Sequence, residues 1–123
     1  MKPGEAREAA LRVLYEADQR RSPPDAADLE ARAIQLVSGV WDERHDLDTA
    51  IGAVSSGWRV ERMPTIDRNI LRIALWELEH RPETPVAVII SEAVRLAKVY
   101  STERSGGFVN GVLAKLAADR IDR

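Results

Sequence analysis

"IDRNILRIALWELE", residues Ile66 to Glu79, decides the fold. Ile66, Ile70, Leu71, Ile73, Ala74, Leu75 and Leu78 cover most of a helical circumference and leave Arg68, Arg72 and Glu79 on a thin polar strip. A helix wetted on so little of its surface belongs at the centre of a helical domain. Glu77 projects on the same face as Ile66, Ile70 and Ile73, so its carboxylate must be hydrogen-bonded or paired.

The flanking sequence reads as helix in both directions. Downstream, "HRPE" stops the central helix, and Thr84 is expected to cap the next one with Pro85 at its first position. Val86, Ile89, Ile90, Ala93, Val94, Ala97 and Tyr100 form that helix's expected buried face. Upstream, Ala6, Ala9, Ala10, Val13, Leu14 and Ala17 give a first helix with a narrow stripe of small residues. Pro23-Pro24 breaks it, and Asp25 or Asp28 is expected to cap the next. That helix runs through Ala33, Leu36, Val37, Val40 and Trp41, across "DERHDLD", to Leu47, Ile51 and Val54; Ser55 to Gly57 ends it, and a short turn, "WRVERM", precedes Pro64. No period-2 strand and no internal repeat is visible. The expectation is one all-α domain over residues 1–123 with about six or seven helices.

Composition narrows the function. The chain has 123 residues, 45% hydrophobic and 31% charged, as a soluble globular protein does. Zero cysteines exclude disulfide and thiol chemistry and fit a reducing cytoplasm. The start, "MKPGEAREAALRVLYEAD", lacks the apolar core of a signal peptide, and no window is apolar enough for a membrane span. A net charge of −2 argues against binding nucleic acid through bulk charge. Yet of 18 cationic side chains only Lys2, Lys98 and Lys115 are lysines. The arginines suit phosphates and bases, and they equally suit a GC-rich genome.

The last helix raises a conflict. "RSGGFVNGVLAKL", Arg104 to Leu116, contains Asn110-Gly111, a hairpin dipeptide, while Phe108, Val109, Val112, Leu113 and Leu116 keep helical spacing through it. A helix start presents free N–H groups and a positive dipole end. Gly106 and Gly107 would let a ligand approach, Arg104 adds charge, and Phe108 could stack on an unpaired base. The competing reading is a glycine-rich loop with Phe108 filling the core. On the first helix, Leu11 and Tyr15 fall opposite the alanine stripe beside Glu8. That pair is either a docking spot or a face covered by another helix.

Chemistry is sparse elsewhere. Asp42 with His45 and Glu77 with His80 have the i, i+3 spacing of carboxylate-bridged metal bundles, but such sites also need two further inward glutamates, and His80 lies at a helix end before Arg81-Pro82 while His45 sits in a solvated charge run. No nucleophile–base pair, P-loop or GxGxxG occurs. No catalysis, metal or cofactor is expected.

Four segments, "AREAALRVLYEAD", "IDRNILRIALWEL", "TPVAVIISEAVRLAKVYS" and "FVNGVL", resemble in order and spacing the NusB family of bacterial transcription antitermination factors, from about Ala6 to Leu116. The resemblance implies two packed helical bundles. It implies binding of boxA-type single-stranded RNA together with the small-subunit ribosomal protein NusE, within an antiterminating RNA polymerase complex on ribosomal RNA operons. Lys2, Arg7, Arg104, Gly106, Gly107 and Phe108 are the RNA-contact candidates, with "FVNG" and the N-terminus sharing one surface and Gly111 permitting tight helix packing. Leu11, Tyr15, Glu61 and Asp67 are the candidates for the ribosomal partner.

The chain departs from the family pattern at three places. "MKPGEAR" is poorer in arginine than the family's opening, so the isolated chain is expected to bind RNA weakly. Arg104 stands where an acid is common, and Arg20 to Ala31 is too short for one family helix. Two other readings are the NusB-like module of ribosomal RNA cytosine methyltransferases, whose cofactor domain is not seen here, and a helical homodimer without RNA binding.

Overall fold

A computed structural model of the chain describes residues 1–120. Among them run five α-helices: α1 (Pro3–Arg20), α2 (Ala31–Val54), α3 (Thr65–His80), α4 (Val86–Tyr100) and α5 (Ser105–Ala118). One 3-10 helix (Val60–Arg62) lies between α2 and α3, and no strand occurs among the described residues. The expected sixth or seventh α-helix is missing for a local reason. Arg21 turns left-handed at φ 54°, Pro23 and Pro24 follow, and the only local order beyond them is a turn in which Asp25 accepts the Ala27 N–H.

α3 packs against α1, α2, α4 and α5, and the buried apolar side chains form one cluster rather than the cores of two bundles. Every side chain from Asn69 to Leu78 is buried, and the expected apolar positions among them are so as the sequence pattern requires. Arg72 is a correction. It is buried rather than on a wet strip, because Asp48 of α2 and Asp18 of α1 meet its guanidinium at 2.7 and 3.0 Å. Glu77 is also buried, held by Arg7 at 3.0 Å and Arg81 at 3.1 Å. Burial holds the Arg81 guanidinium below its ordinary pKa, against the charge of Glu77.

Other local expectations change too. Neither Asp25 nor Asp28 caps α2; Glu30 occupies that position without a side-chain cap. Pro85, not Thr84, stands at the N-cap of α4, its carbonyl accepting from Val88 and Ile89. Tyr100 is exposed, while Leu96 takes a place in the core. Gly39 is dictated by packing: a Cβ there would lie 2.3 Å from Cε2 of Trp76. No helix among the described residues is long and apolar enough to cross a membrane.

Candidate nucleic-acid interface

The segment that begins with two glycines is helical through Asn110-Gly111, and Phe108 sits in its first turn. α5 starts where three hydroxyls and one carboxylate converge. Asp67, in the first turn of α3, accepts from Ser105 Oγ at 2.8 Å and from Ser101 Oγ. Thr102 Oγ1 lies 2.8 Å from Ser105 Oγ, and the Thr102 N–H donates to the same oxygen at 3.3 Å. This cluster pins the end of α4 and the start of α5 to α3. It leaves the N–H groups of Gly106 and Gly107 without an acceptor among the described residues, as the first turn of a helix does.

The two glycines differ. A Cβ on Gly107 would meet open space, while Gly106 is buried with Lys98 Cγ 3.4 Å from where its Cβ would be. Gly107 is therefore open to a ligand's close approach and Gly106 is not. The expected packing role of Gly111 is a correction: a Cβ there also meets open space. Phe108 is half-buried, packed against the edge of the core. Its ring centroid lies 6.2 Å from that of Trp58, at 64° between planes.

That indole is the residue the sequence reading missed. The two rings separate two clefts. One, of about 360 Å³, has Met63, Pro64, Thr102 and Arg104 among its walls; the other, of about 240 Å³, has Ser56, Gly107 and Lys115. Arg104 is exposed and has no ion pair among the described residues. Among the described residues Lys115 Nζ donates only to the Ser56 hydroxyl, at 2.9 Å. Lys98 lies along Gly106. Arg104 and Lys115 thus flank the aromatic pair, with Lys98 at the start of α5, and no carboxylate pairs with these three among the described residues.

The other RNA candidates separate from this mouth. Arg7 is a correction: it is 4% exposed, its Nε bonded to Glu77 and its Nη1 to Glu92 at 3.2 Å, so its charge is buried and paired rather than presented to a phosphate. Lys2 is exposed ahead of α1, but that end lies beside the middle of α4, where Gly4 approaches Glu92 and Arg95. From Glu92 to the α4 terminus is ~12 Å of helix rise, so the structure does not join Lys2 to the α5 start.

The partner candidates divide similarly. Leu11 is buried, and it forms the floor of a groove shared with Tyr15, Ile66 and Tyr100. Asp67 is a correction, since a carboxylate only 3% exposed and bonded to two serines offers nothing to a docking protein. Glu61 is exposed but borders a different cleft and pairs with Arg59 at 2.9 Å. Its own backbone N–H holds its carboxyl below the usual range. Glu43, Glu79 and His80 have ligand-type atoms within 4.8 Å of one another, a grouping the i, i+3 pairs did not anticipate. Trp76, His80 and Arg120 already engage the two carboxylates.

Comparison with known proteins gives a consistent picture. The model of the NusB family matches residues 4–118. Over 131 aligned residues the chain is 44% identical to the transcription antitermination protein NusB of Sorangium cellulosum, covering 95% of this chain and 94% of that one. Its fold is similar to that of NusB from T. maritima, with a TM-score of 0.87, 28% identity and coverage of 100% and 99%. It also matches, at a TM-score of 0.80, 26% identity and coverage of 94% and 96%, a chain in a crystal structure of the antitermination factors NusB and NusE in complex with dsRNA.

Proposed function

The chain belongs to the NusB family, and from that premise we propose that it binds boxA-type single-stranded RNA together with the small-subunit ribosomal protein NusE. The complex joins an antiterminating RNA polymerase on ribosomal RNA operons. The observation that carries the reading is the α5 mouth. A half-buried Phe108 and an open Gly107 with an unbonded N–H lie beside Arg104 and Lys115, with Lys98 along Gly106. Sequence-specific RNA recognition favours unpaired bases that can be splayed and stacked, and such a mouth offers a ring, free donors and positive charge together. A structural neighbour crystallised with NusE and dsRNA supports the coarser part of this reading, RNA and NusE as partners. The groove of Leu11, Tyr15, Ile66 and Tyr100 is the proposed seat for the ribosomal partner. No reaction and no cofactor enter this function.

Titration of fluorescent boxA RNA, alone and with the ribosomal protein, tests the proposal. Weak binding by the isolated chain and tighter binding with the partner are expected. Phe108→Ala should weaken RNA binding by ~1–3 kcal/mol, the value of one stacked base. Three cations on three phosphates give a log–log salt slope of about −2, and Arg104→Asp should reduce both the affinity and the slope. Tyr15→Asp should impair the ribosomal partner and spare the fold. No RNA binding under either condition would overturn the proposal in favour of a helical dimer without RNA.

A further inference from the structure

We propose that Trp58 is a second stacking residue, and that the cleft on the Arg104 side of the Trp58–Phe108 ridge receives one extruded nucleobase of the bound RNA. The inference rests on the RNA-binding reading above and adds to it a residue and a subsite.

The first observation is how Trp58 is held. Ser55, itself buried, grips its backbone at both ends: the Ser55 hydroxyl donates to the Trp58 carbonyl at 2.7 Å, and the Trp58 N–H donates to the Ser55 carbonyl at 3.1 Å. Between them Ser56 and Gly57 adopt left-handed conformations, φ 49° and 85°, of which the first is costly for a residue with a side chain. The turn therefore fixes the backbone that carries the indole and leaves Trp58 56% exposed, where it forfeits much of the stabilisation a buried tryptophan provides. A chain that only needed to close α2 would gain by burying this ring or omitting it.

The second observation is what surrounds it. The rings meet edge to face, so they form a corner rather than a closed stack, and both line both clefts. Arg104 stands on one side of the ridge and Lys115 on the other, each free of carboxylate partners among the described residues. A ribose-phosphate chain crossing the ridge would meet a cation on either flank, and its bases would fall against aromatic faces. The Arg104-side cleft suits a base better. At about 360 Å³ it is the larger, and its apolar walls, Met63 and Pro64, accompany the exposed Thr102, whose hydroxyl can bond a base edge.

The test uses the full chain, the ribosomal protein and boxA RNA. Trp58→Ala should lower RNA affinity by about 5- to 150-fold, and Trp58→Phe should restore most of it. RNA should quench the fluorescence of the wild type, and that quenching should disappear in Trp58→Phe, which retains Trp41 and Trp76. In a series of RNAs with a single abasic position, one position should cost the wild type affinity and cost Trp58→Ala none. Unchanged affinity and quenching on replacing Trp58, while Phe108→Ala still weakens binding, would overturn this inference and leave the RNA-binding reading standing. Loss of ribosomal-protein binding in Trp58→Ala without RNA present would overturn it too, by making the ridge a protein contact. A wild type that binds no RNA would overturn both.

Discussion

Replacing Asp67 separates two accounts of one carboxylate. As a docking acid it would be dispensable for folding; as the buried anchor of the α4–α5 junction it would not. The structure places it 3% exposed, accepting from Ser101 and Ser105, in the first turn of α3 where a negative charge also complements the helix dipole. A hydrogen bond to a charged group contributes about 1.5–3 kcal/mol. Two such bonds are lost in Asp67→Ala, but Ser101, Thr102 and Ser105 are close enough to bond one another and recover part of that. The net cost is therefore ~2–4 kcal/mol, which for a domain of this size lowers Tm by roughly 8–15 °C. Asp67→Asn keeps one acceptor oxygen and should lose about half as much. Thermal unfolding followed by circular dichroism reads the stability, and RNA titration well below Tm reads the mouth. Both variants should bind RNA more weakly because the start of α5 is no longer pinned, while the ribosomal partner binds normally to the folded fraction. A Tm within 2 °C of wild type, accompanied by selective loss of the ribosomal partner, would refute the reasoning.

Three further outcomes follow from the same contacts. Arg7→Ala leaves buried Glu77 with Arg81 alone, so it should cost ~3 kcal/mol in urea unfolding without a specific effect on RNA affinity. Gly111→Ala should raise stability by up to about 1 kcal/mol, because the new methyl group meets open space on a helix, and a lowered Tm would show that the glycine is needed for packing. The Arg95 guanidinium holds the Glu92 carboxyl below its ordinary range, so the unfolded chain binds the proton more readily than the native one. That contribution is complete above the unfolded carboxylate value of about 4.3 and is lost as pH falls through the lower native value; Tm measured against pH should decline less steeply on the acid side in Glu92→Gln.

What the sequence discloses is periodicity, and what it withholds is pairing across distance. The central position of α3 follows from the near-complete apolar coverage between Ile66 and Leu78, and the helical character of Asn110-Gly111 follows from apolar spacing that ignores the dipeptide. Arg72 was misplaced because its partners Asp18 and Asp48 are 54 and 24 positions away, beyond any local pattern. Asp67 was misplaced for the same reason, its serines lying 34 and 38 positions downstream. Trp58 carried one usable signal, a large aromatic directly after Ser-Ser-Gly. Its exposure, however, depends on the left-handed Ser56 and on the grip of Ser55, which only the folded turn shows.

The arginines show why this matters for function. Arg7, Arg68, Arg72, Arg81, Arg95 and Arg120 each end on a carboxylate, so part of the positive charge that suggests a nucleic-acid binder is committed to pairing within the fold. Charge committed this way releases no counterions from RNA, and the cations grouped at the α5 mouth are few. Affinity there must then depend more on stacking than on charge. Stacking is less sensitive to salt and needs rings presented together, which the anchored backbone of Trp58 and its edge-to-face contact with Phe108 in the first turn of α5 provide. A protein of this design discriminates poorly by attraction at a distance and well by contact. It therefore gains most from a partner that brings the RNA to it, which is the physical reason to expect tight binding only when the ribosomal protein is present.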